Sequence, residues 1–256
     1  MIFVFGSNLQ GIHGAGAAAH AARWCGAIRG QGEGLQGDSY ALPTKHGPGR
    51  SMSLSEVAHA VQRFKAFAAA TTDLTFQVTR VGCGLAGFAD EQIAPLFDDA
   101  PANCLLPGMW LARRDPGVAR VIVAGSRTLT ERDAVWPRIE TLTRRLWSKS
   151  GFEIVSGMAD GPDTLAVQWA EHAGFAGSVV KFPADWARYK RAAGPIRNAL
   201  MSWYSTHLVA FWDGESPGTR NMIETARRDG LAIRVVHRTP GDRTACVEDA
   251  TPGPSC

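Results

Sequence analysis

Cysteine is scarce in this chain and has no pattern. Its five cysteines (Cys25, Cys83, Cys104, Cys246, Cys256) form no CxxC pair, and its seven histidines show no ligand spacing. No metal site is therefore expected, structural zinc least of all. The odd cysteine count, with no leader-like N-terminus, points to a reducing cytoplasm, bacterial or that of a phage host. No apolar run approaches the roughly 20 residues that a membrane helix needs, so no membrane partner is expected. Charge of one sign is also lacking. The formal net charge is +3, with 7 Lys+Arg against 8 Asp+Glu in residues 1–112 and 16 against 12 in residues 120–236. That balance is too mild for a nucleic-acid groove, and the clustered arginines of the second half suit a small phosphate-bearing ligand.

What is present is enough apolar material for two cores: 45% hydrophobic residues in a chain of 256. The chain reads as if it starts twice. Arg120–Arg127 (RVIVAGSR) and Met1–Asn8 (MIFVFGSN) are each a short apolar strand ending in Gly-Ser. A glycine there lets the backbone turn sharply, and the N-terminus of a following helix is a ready anion site. In the first half the pattern predicts strands at 1–5, 39–43, 76–81 and near 105–111. Helices are predicted at 15–24, 53–70 and 90–97, the second opened by a Ser53–Glu56 capping box. The charged run Arg113–Ala119, with Pro and Gly, reads as a linker. In the second half strands are predicted at 120–125, 152–156, 178–182, 207–212 and 231–236, with helices at 130–149, 162–173, 193–205 and 219–229. The expected fold is α/β: a first domain over 1–112, a linker over 113–119, a five-stranded doubly wound Rossmann-like domain over 120–236, and a largely disordered tail over 237–256.

Ligands of such a sheet belong at the carboxyl ends of its strands, where GSR, SGMADGPD, FPADW and DGESPGT all fall. Gly125, Ser126 and Arg127 form the first loop. Gly157 and Gly161 permit close backbone approach in the second, where Asp160 and Asp163 either cap the helix or accept from a ribose hydroxyl. The amides of Gly218, Thr219 and Arg220 would form a phosphate nest. Arg127 and Arg197 are candidates for phosphate contact, since an arginine fork suits phosphate. Asn198 is a ligand or turn hydrogen bonder, and Trp186 either stacks on a base or belongs to the core.

These residues, with the AAGPIRN run at 192–198 and the PGT turn, resemble the SLOG superfamily over roughly 120–236, best its YspA-like branch. The resemblance implies a nucleotide-derived ligand and a homodimer formed through helices beside the ligand edge. In the phosphoribohydrolase branch a catalytic Glu follows the turn. Here that position is Met222, with Glu224 two residues later, so ligand binding is favoured over hydrolysis by this half.

In the first half three pieces occur in order: the loop GSNLQGIHGAGAA, the strand YALPTK, and GCGLAGF at 82–88. Together they resemble the phage-associated macrodomain-like group close to the terminal ADP-ribose hydrolases, over about residues 1–112. The resemblance implies an α/β/α sandwich that binds ADP-ribose without a required cofactor. On it, Gly6 belongs to the ligand-binding loop, Asn8 lies near the distal ribose and Gly14 and Gly16 near the diphosphate. Gly82, Cys83, Gly84 and Leu85 form the second phosphate loop. Lys45 is the implied nucleophile, opening the ribosyl linkage through a Schiff-type adduct, or else a phosphate or surface cation. The hydrolases' Asp is replaced by Ala86, and Asp90 is the candidate substitute acid. Cys83 reads as a small residue in a tight turn, and His13 is either a ligand contact or exposed. The combined expectation is a protein that binds, and as an ADP-ribosyl hydrolase cleaves, ADP-ribose or a related NAD-derived nucleotide or ADP-ribosylated macromolecule. Its setting would be NAD-linked signalling in bacterial–phage conflict. The alternatives are a non-catalytic sensor or sponge, and a phosphoribohydrolase acting through Glu224.

Overall fold

Short runs rich in Val, Ile and Phe, each closed by glycine or a polar turn, become the strands of two sheets. The computed structural model describes residues 1–115, 117–147, 151–238 and 246–251. The chain divides into two units, Met1–Trp110 and Leu111–Cys256, each with its own mixed but mainly parallel sheet.

The first unit runs β1 (Ile2–Asn8), α1 (Gly16–Trp24), β2 (Gly34–Gln36), β3 (Ser39–Gly47), β4 (Arg50–Ser51), α2 (Leu54–Ala70), β5 (Phe76–Val78), α3 (Asp90–Ile93) and β6 (Cys104–Leu105). Its sheet order is β2-β3-β1-β5-β6, with β4 paired to β3. Strands β3, β1, β5 and β6 are parallel neighbours, so the loops after β1, β3 and β5 leave the sheet at one edge. The Ser53–Glu56 capping box forms as the sequence predicts. An aromatic core fills the space under α2, where Phe64 meets Phe76 edge to face at 5.5 Å and Tyr40 at 5.0 Å.

Two expectations fail here. Strand β3 runs on to Gly47, so Lys45 lies inside a strand whose end pairs with β4, and not in the loop that follows. The apolar run at 105–111 yields only two strand residues before Pro107. Helix α4 (Gly108–Arg114) follows, in which Trp110 buries against Phe97 at 5.2 Å. Helix α4 therefore takes up the start of the expected linker, and the next strand already begins at Ala119.

The second unit continues with β7 (Ala119–Gly125), α5 (Arg132–Thr143), β8 (Phe152–Ser156), α6 (Pro162–His172), β9 (Val179–Lys181), α7 (Trp186–Tyr189), α8 (Ala193–Tyr204), β10 (His207–Trp212), α9 (Pro217–Arg228), β11 (Ala232–His237) and β12 (Cys246–Asp249). The sheet order is β12-β11-β10-β7-β8-β9, parallel throughout except for β12. The expected doubly wound Rossmann-like sheet is present, with one strand more than the pattern predicts. Residues 246–249 of the expected disordered tail form that antiparallel edge strand, tied by Arg234 to Asp249 and by His237 to Glu248 at 2.8 Å. Residues 239–245 and 252–256 of the expected tail lie outside the described residues. So does the last turn of the expected helix 130–149, at 148–150. Strand order reverses at β7: α5 and α6 lead outward to β8 and β9, whereas β10 returns to the other side of β7. The loops after β7 and β10 thus diverge and open a crevice at the switch point.

Candidate functional site

The floor of that crevice is a buried charged pair. Asp163, in the first turn of α6, is 2% exposed. Its Oδ2 accepts from the Gly125 amide at 3.2 Å, and its Oδ1 lies 3.5 Å from Arg197 Nη1. Burial pushes the Asp163 carboxyl up to about 6, against the pull of Arg197 and the amides of Gly125, Ala159 and Gly157. Burial likewise lowers the Arg197 guanidinium, opposed by Asp163 and reinforced by the nearby charge of Arg127. Arg197 also donates from Nη1 to the Gly157 carbonyl and from Nε to Asn198 Oδ1 at 3.0 Å. A Cβ at position 157 would fall 1.7 Å from Arg197 Nη1, so glycine there makes room for the guanidinium and not for a ligand.

Above this floor lies a cavity of about 820 Å³. Arg127, Trp186, Arg191 and Arg197 line it together with the first turn of α9. In that turn Arg220 is the first residue whose amide closes a helical bond, onto Ser216 O at 3.1 Å. Two of the three amides expected to form a nest, those of Gly218 and Thr219, therefore begin the helix with no helical acceptor of their own, and the third is consumed. Among the described residues Arg127 and Arg191 have no ion pair. Of the three carboxylates in the lining, Asp163 offsets Arg197, and Glu215 is exposed to solvent. Asp213 is turned onto the amides of Glu215 (3.0 Å) and Ser216 (2.8 Å) and the Thr128 hydroxyl (3.3 Å). Burial would raise the Asp213 carboxyl, but these hydrogen bonds outweigh it and hold the group below the ordinary carboxylate range.

The predicted residues divide accordingly. Gly125 packs too closely for any side chain, since a Cβ would meet Phe211 O at 2.5 Å. Ser126 is buried, and its hydroxyl accepts from the Asp213 amide at 3.2 Å, tying the loops after β7 and β10 together. Asn198 lines the cavity and acts as a brace there: its amide donates to Gly218 O at 3.2 Å and Asn221 Oδ1 at 2.9 Å, pinning α8 to α9. Asp163 neither caps α6, whose N-cap is Gly161, nor is free for a ribose hydroxyl. Asp160 is exposed and outside the cavity lining. Arg127 and Arg197 both line the cavity; Arg197 Nε and Nη1 are engaged by protein atoms, and its Nη2 has no hydrogen-bond partner among the described residues. Met222 lines the cavity, while Glu224 lines a separate one of about 270 Å³ beside Trp212, Arg220 and Arg227. Sequence reasoning missed Arg191; it placed the DGESPGT turn, where an Asp-Gly closes an apolar strand, but not the part of the Asp213 side chain in holding that turn.

In the first unit the two glycine loops and the end of β3 meet at the carboxyl edge of β3-β1-β5. Asn8 and Lys45 are register partners, and Gly6 lies against the loop after β5, where its Cβ would sit 3.4 Å from Gly82 N. The side chains mostly brace the loops. Asn8 donates to Ile12 O at 2.7 Å and accepts from Ile12 N at 3.1 Å, so its amide closes the first loop and does not reach for a ribose. Lys45 Nζ donates to Leu85 O at 3.1 Å, and Ser51 Oγ donates to Ala86 O at 2.8 Å, so β3 and β4 hold the second loop from below. Gly82 takes φ +80°, Gly84 and Gly14 face open space, Gly16 takes φ +55°, and the Leu85 side chain is 72% exposed.

Asp90 does not suit the part of a general acid. It accepts from Arg80 Nε at 3.0 Å, from Arg80 Nη2 and from Trp110 Nε1 at 2.6 Å. Burial would raise its carboxyl, but the Arg80 and Trp110 hydrogen bonds prevail and keep it below the usual range, without a proton to give. Burial and the neighbouring Asp90 push the Cys83 thiol up to about 12, which makes it a turn residue and no nucleophile. His13 is neither exposed nor open: its ring packs edge-on against Phe5 at 5.1 Å with Nε2 3.3 Å from Ser7 Oγ.

Among the described residues no group of His, Cys, Asp and Glu could hold a metal ion, and no helix is long and apolar enough to cross a membrane. No curated protein matches the chain. One family model does, over residues 119–189, described as the YspA, cpYpsA-related SLOG family. The match spans β7 to α7 and therefore takes in Arg127, Asp163 and Trp186, whereas Arg197 and the α9 turn lie beyond it. The C-terminal unit is thus a Rossmann-like domain whose first half is similar to the SLOG family, which points in general terms to a nucleotide-related ligand.

Proposed function

We propose that the protein captures NAD-derived nucleotides, ADP-ribose or a close relative, with a phosphate-binding cavity in the C-terminal unit and a macrodomain-like ADP-ribose module in the N-terminal unit. One observation carries the reading. At the switch point of the second sheet, Arg127, which has no ion pair among the described residues, and the starting turn of α9 line a single cavity of about 820 Å³. A helix N-terminus with an arginine fork suits a phosphate. In the N-terminal unit the support is the convergence of the Gly6, Lys45 and Gly82–Leu85 segments on one sheet edge.

Binding without chemistry is the favoured form. Lys45 is engaged by Leu85 O, Asp90 is engaged by Arg80 and Trp110, and Met222 lines the cavity where the phosphoribohydrolase branch has its Glu. ADP-ribosyl hydrolysis through Lys45 is the alternative. Such a protein would sense or sequester a nucleotide signal in bacterial–phage conflict, as a homodimer joined through its C-terminal unit. Calorimetric titration with ADP-ribose, followed by mass spectrometry of the recovered ligand, tests this. Two sites and intact ligand are expected, with one site lost in Arg127→Ala and the other in Lys45→Ala. Recovery of ribosyl cleavage products would replace capture by hydrolysis, and an absence of binding would end the reading.

A further inference from the structure

Trp186 is 49% exposed, whereas Trp110 and Trp169 are buried to within a few per cent. A single exposed apolar side chain is ordinary by itself; what sets this indole apart is where it stands. This one is held in place. The Asp185 carboxylate caps the short α7 by accepting from the Arg188 amide at 3.0 Å. The Cη2 edge of the ring faces Gly194 of α8, and a Cβ added there would be in ordinary contact with it at 3.5 Å. The indole lines the same cavity as Arg127 and Arg197. Arg127 Cζ lies 5.8 Å from the ring centroid, within cation–π reach.

Resting on the nucleotide reading of this cavity, we infer that Trp186 is the platform on which the ligand's heterocycle stacks, and that Arg127 is shared between this indole and the ligand's phosphate. Arg127 and Arg197 are like charges facing one cavity, so an anion between them relieves their repulsion and draws the Arg127 guanidinium off the ring. The exposed face then receives a planar base, as aromatic side chains do in nucleotide-binding grooves. The ligand class follows. It carries an anionic phosphate and a heterocycle together, and a sugar phosphate without a base engages only half of the site.

Calorimetry on the full chain with AMP and ribose 5-phosphate as probes tests this. The wild type is expected to bind AMP about tenfold tighter than ribose 5-phosphate, the order of one base stack. Trp186→Ala removes that preference, while Trp186→Phe keeps most of it. Arg127→Ala weakens both probes. Equal affinities in the wild type, or unchanged AMP affinity in Trp186→Ala, overturn the stacking inference while leaving the phosphate site standing. If neither probe binds, or Arg127→Ala changes neither affinity, the nucleotide reading of the cavity falls and the inference with it.

Discussion

Both units place their glycine loops at the carboxyl edge of a parallel sheet, yet they hold those loops by opposite means. In the N-terminal unit neutral or exposed side chains grip the backbone: Asn8 on Ile12, Ser51 on Ala86, Lys45 on Leu85. In the C-terminal unit a buried ion pair, Asp163–Arg197, carries the loops and is sealed by glycines that admit no side chain. Braces of the first kind are local and replaceable. Braces of the second kind are costly to break, because either partner alone is an uncompensated buried charge. The second site should therefore be the more rigid of the two and the more sensitive to pH.

The largest expected effect is at Arg197. Arg197→Ala strands Asp163 and should destabilise the C-terminal unit by about 3–5 kcal/mol at pH 8, read by urea denaturation. At pH 5 the loss should be smaller, since the lone carboxyl can take up a proton. An equal loss at both pH values would break the contrast.

Next is the pH profile of the wild type. A carboxyl raised to about 6 from its ordinary 3.8 makes the folded state hold more protons than the unfolded one between those values. The stability of the C-terminal unit should therefore fall as pH rises through that window, by up to about 3 kcal/mol, and level off above it. Asp163→Asn should flatten the profile. An Asp163 that titrates near 4 by carbon-detected NMR would remove the basis for this expectation.

Asn8→Ala should cost the N-terminal unit about 1–3 kcal/mol, because it removes two hydrogen bonds from a buried loop anchor. The melting of the C-terminal unit should not change.

The smallest effect is at Lys45. Its hydrogen bond to Leu85 O is exposed, so Lys45→Met should change stability by less than about 1 kcal/mol while weakening ADP-ribose binding. A stability loss as large as that of Asn8→Ala would make Lys45 a structural brace first. Unchanged binding would remove it from the proposed site.

The fold was largely legible in advance. Apolar runs closed by Gly-Ser, Gly-Met and Asp-Gly predicted the strand ends of the second sheet, because period and turn chemistry act locally. Run length misled where a strand and a helix share the same apolar composition, as at 105–111 before and after Pro107. Strand β12 was missed for a different reason: its Cys246–Asp249 segment has little apolar content and is held by pairing to β11. The site was legible as loops and not as roles. Arg127 lines the cavity, whereas Ser126, Asn198 and Asp163, whose residue types suit a ligand as well as a cap or turn, are engaged as braces.

By itself, then, the sequence determined the α/β class, the two starts, the doubly wound second half and the edge on which the glycine loops gather, since each follows from short-range periodicity and backbone freedom. Only the tertiary structure decided which polar side chains remain available. A hydrogen-bonding group is indistinguishable in sequence from a ligand contact until its partners are known. Those partners lie 34 residues away for Arg197 and Asp163 and 40 for Lys45 and Leu85, where no local pattern reaches.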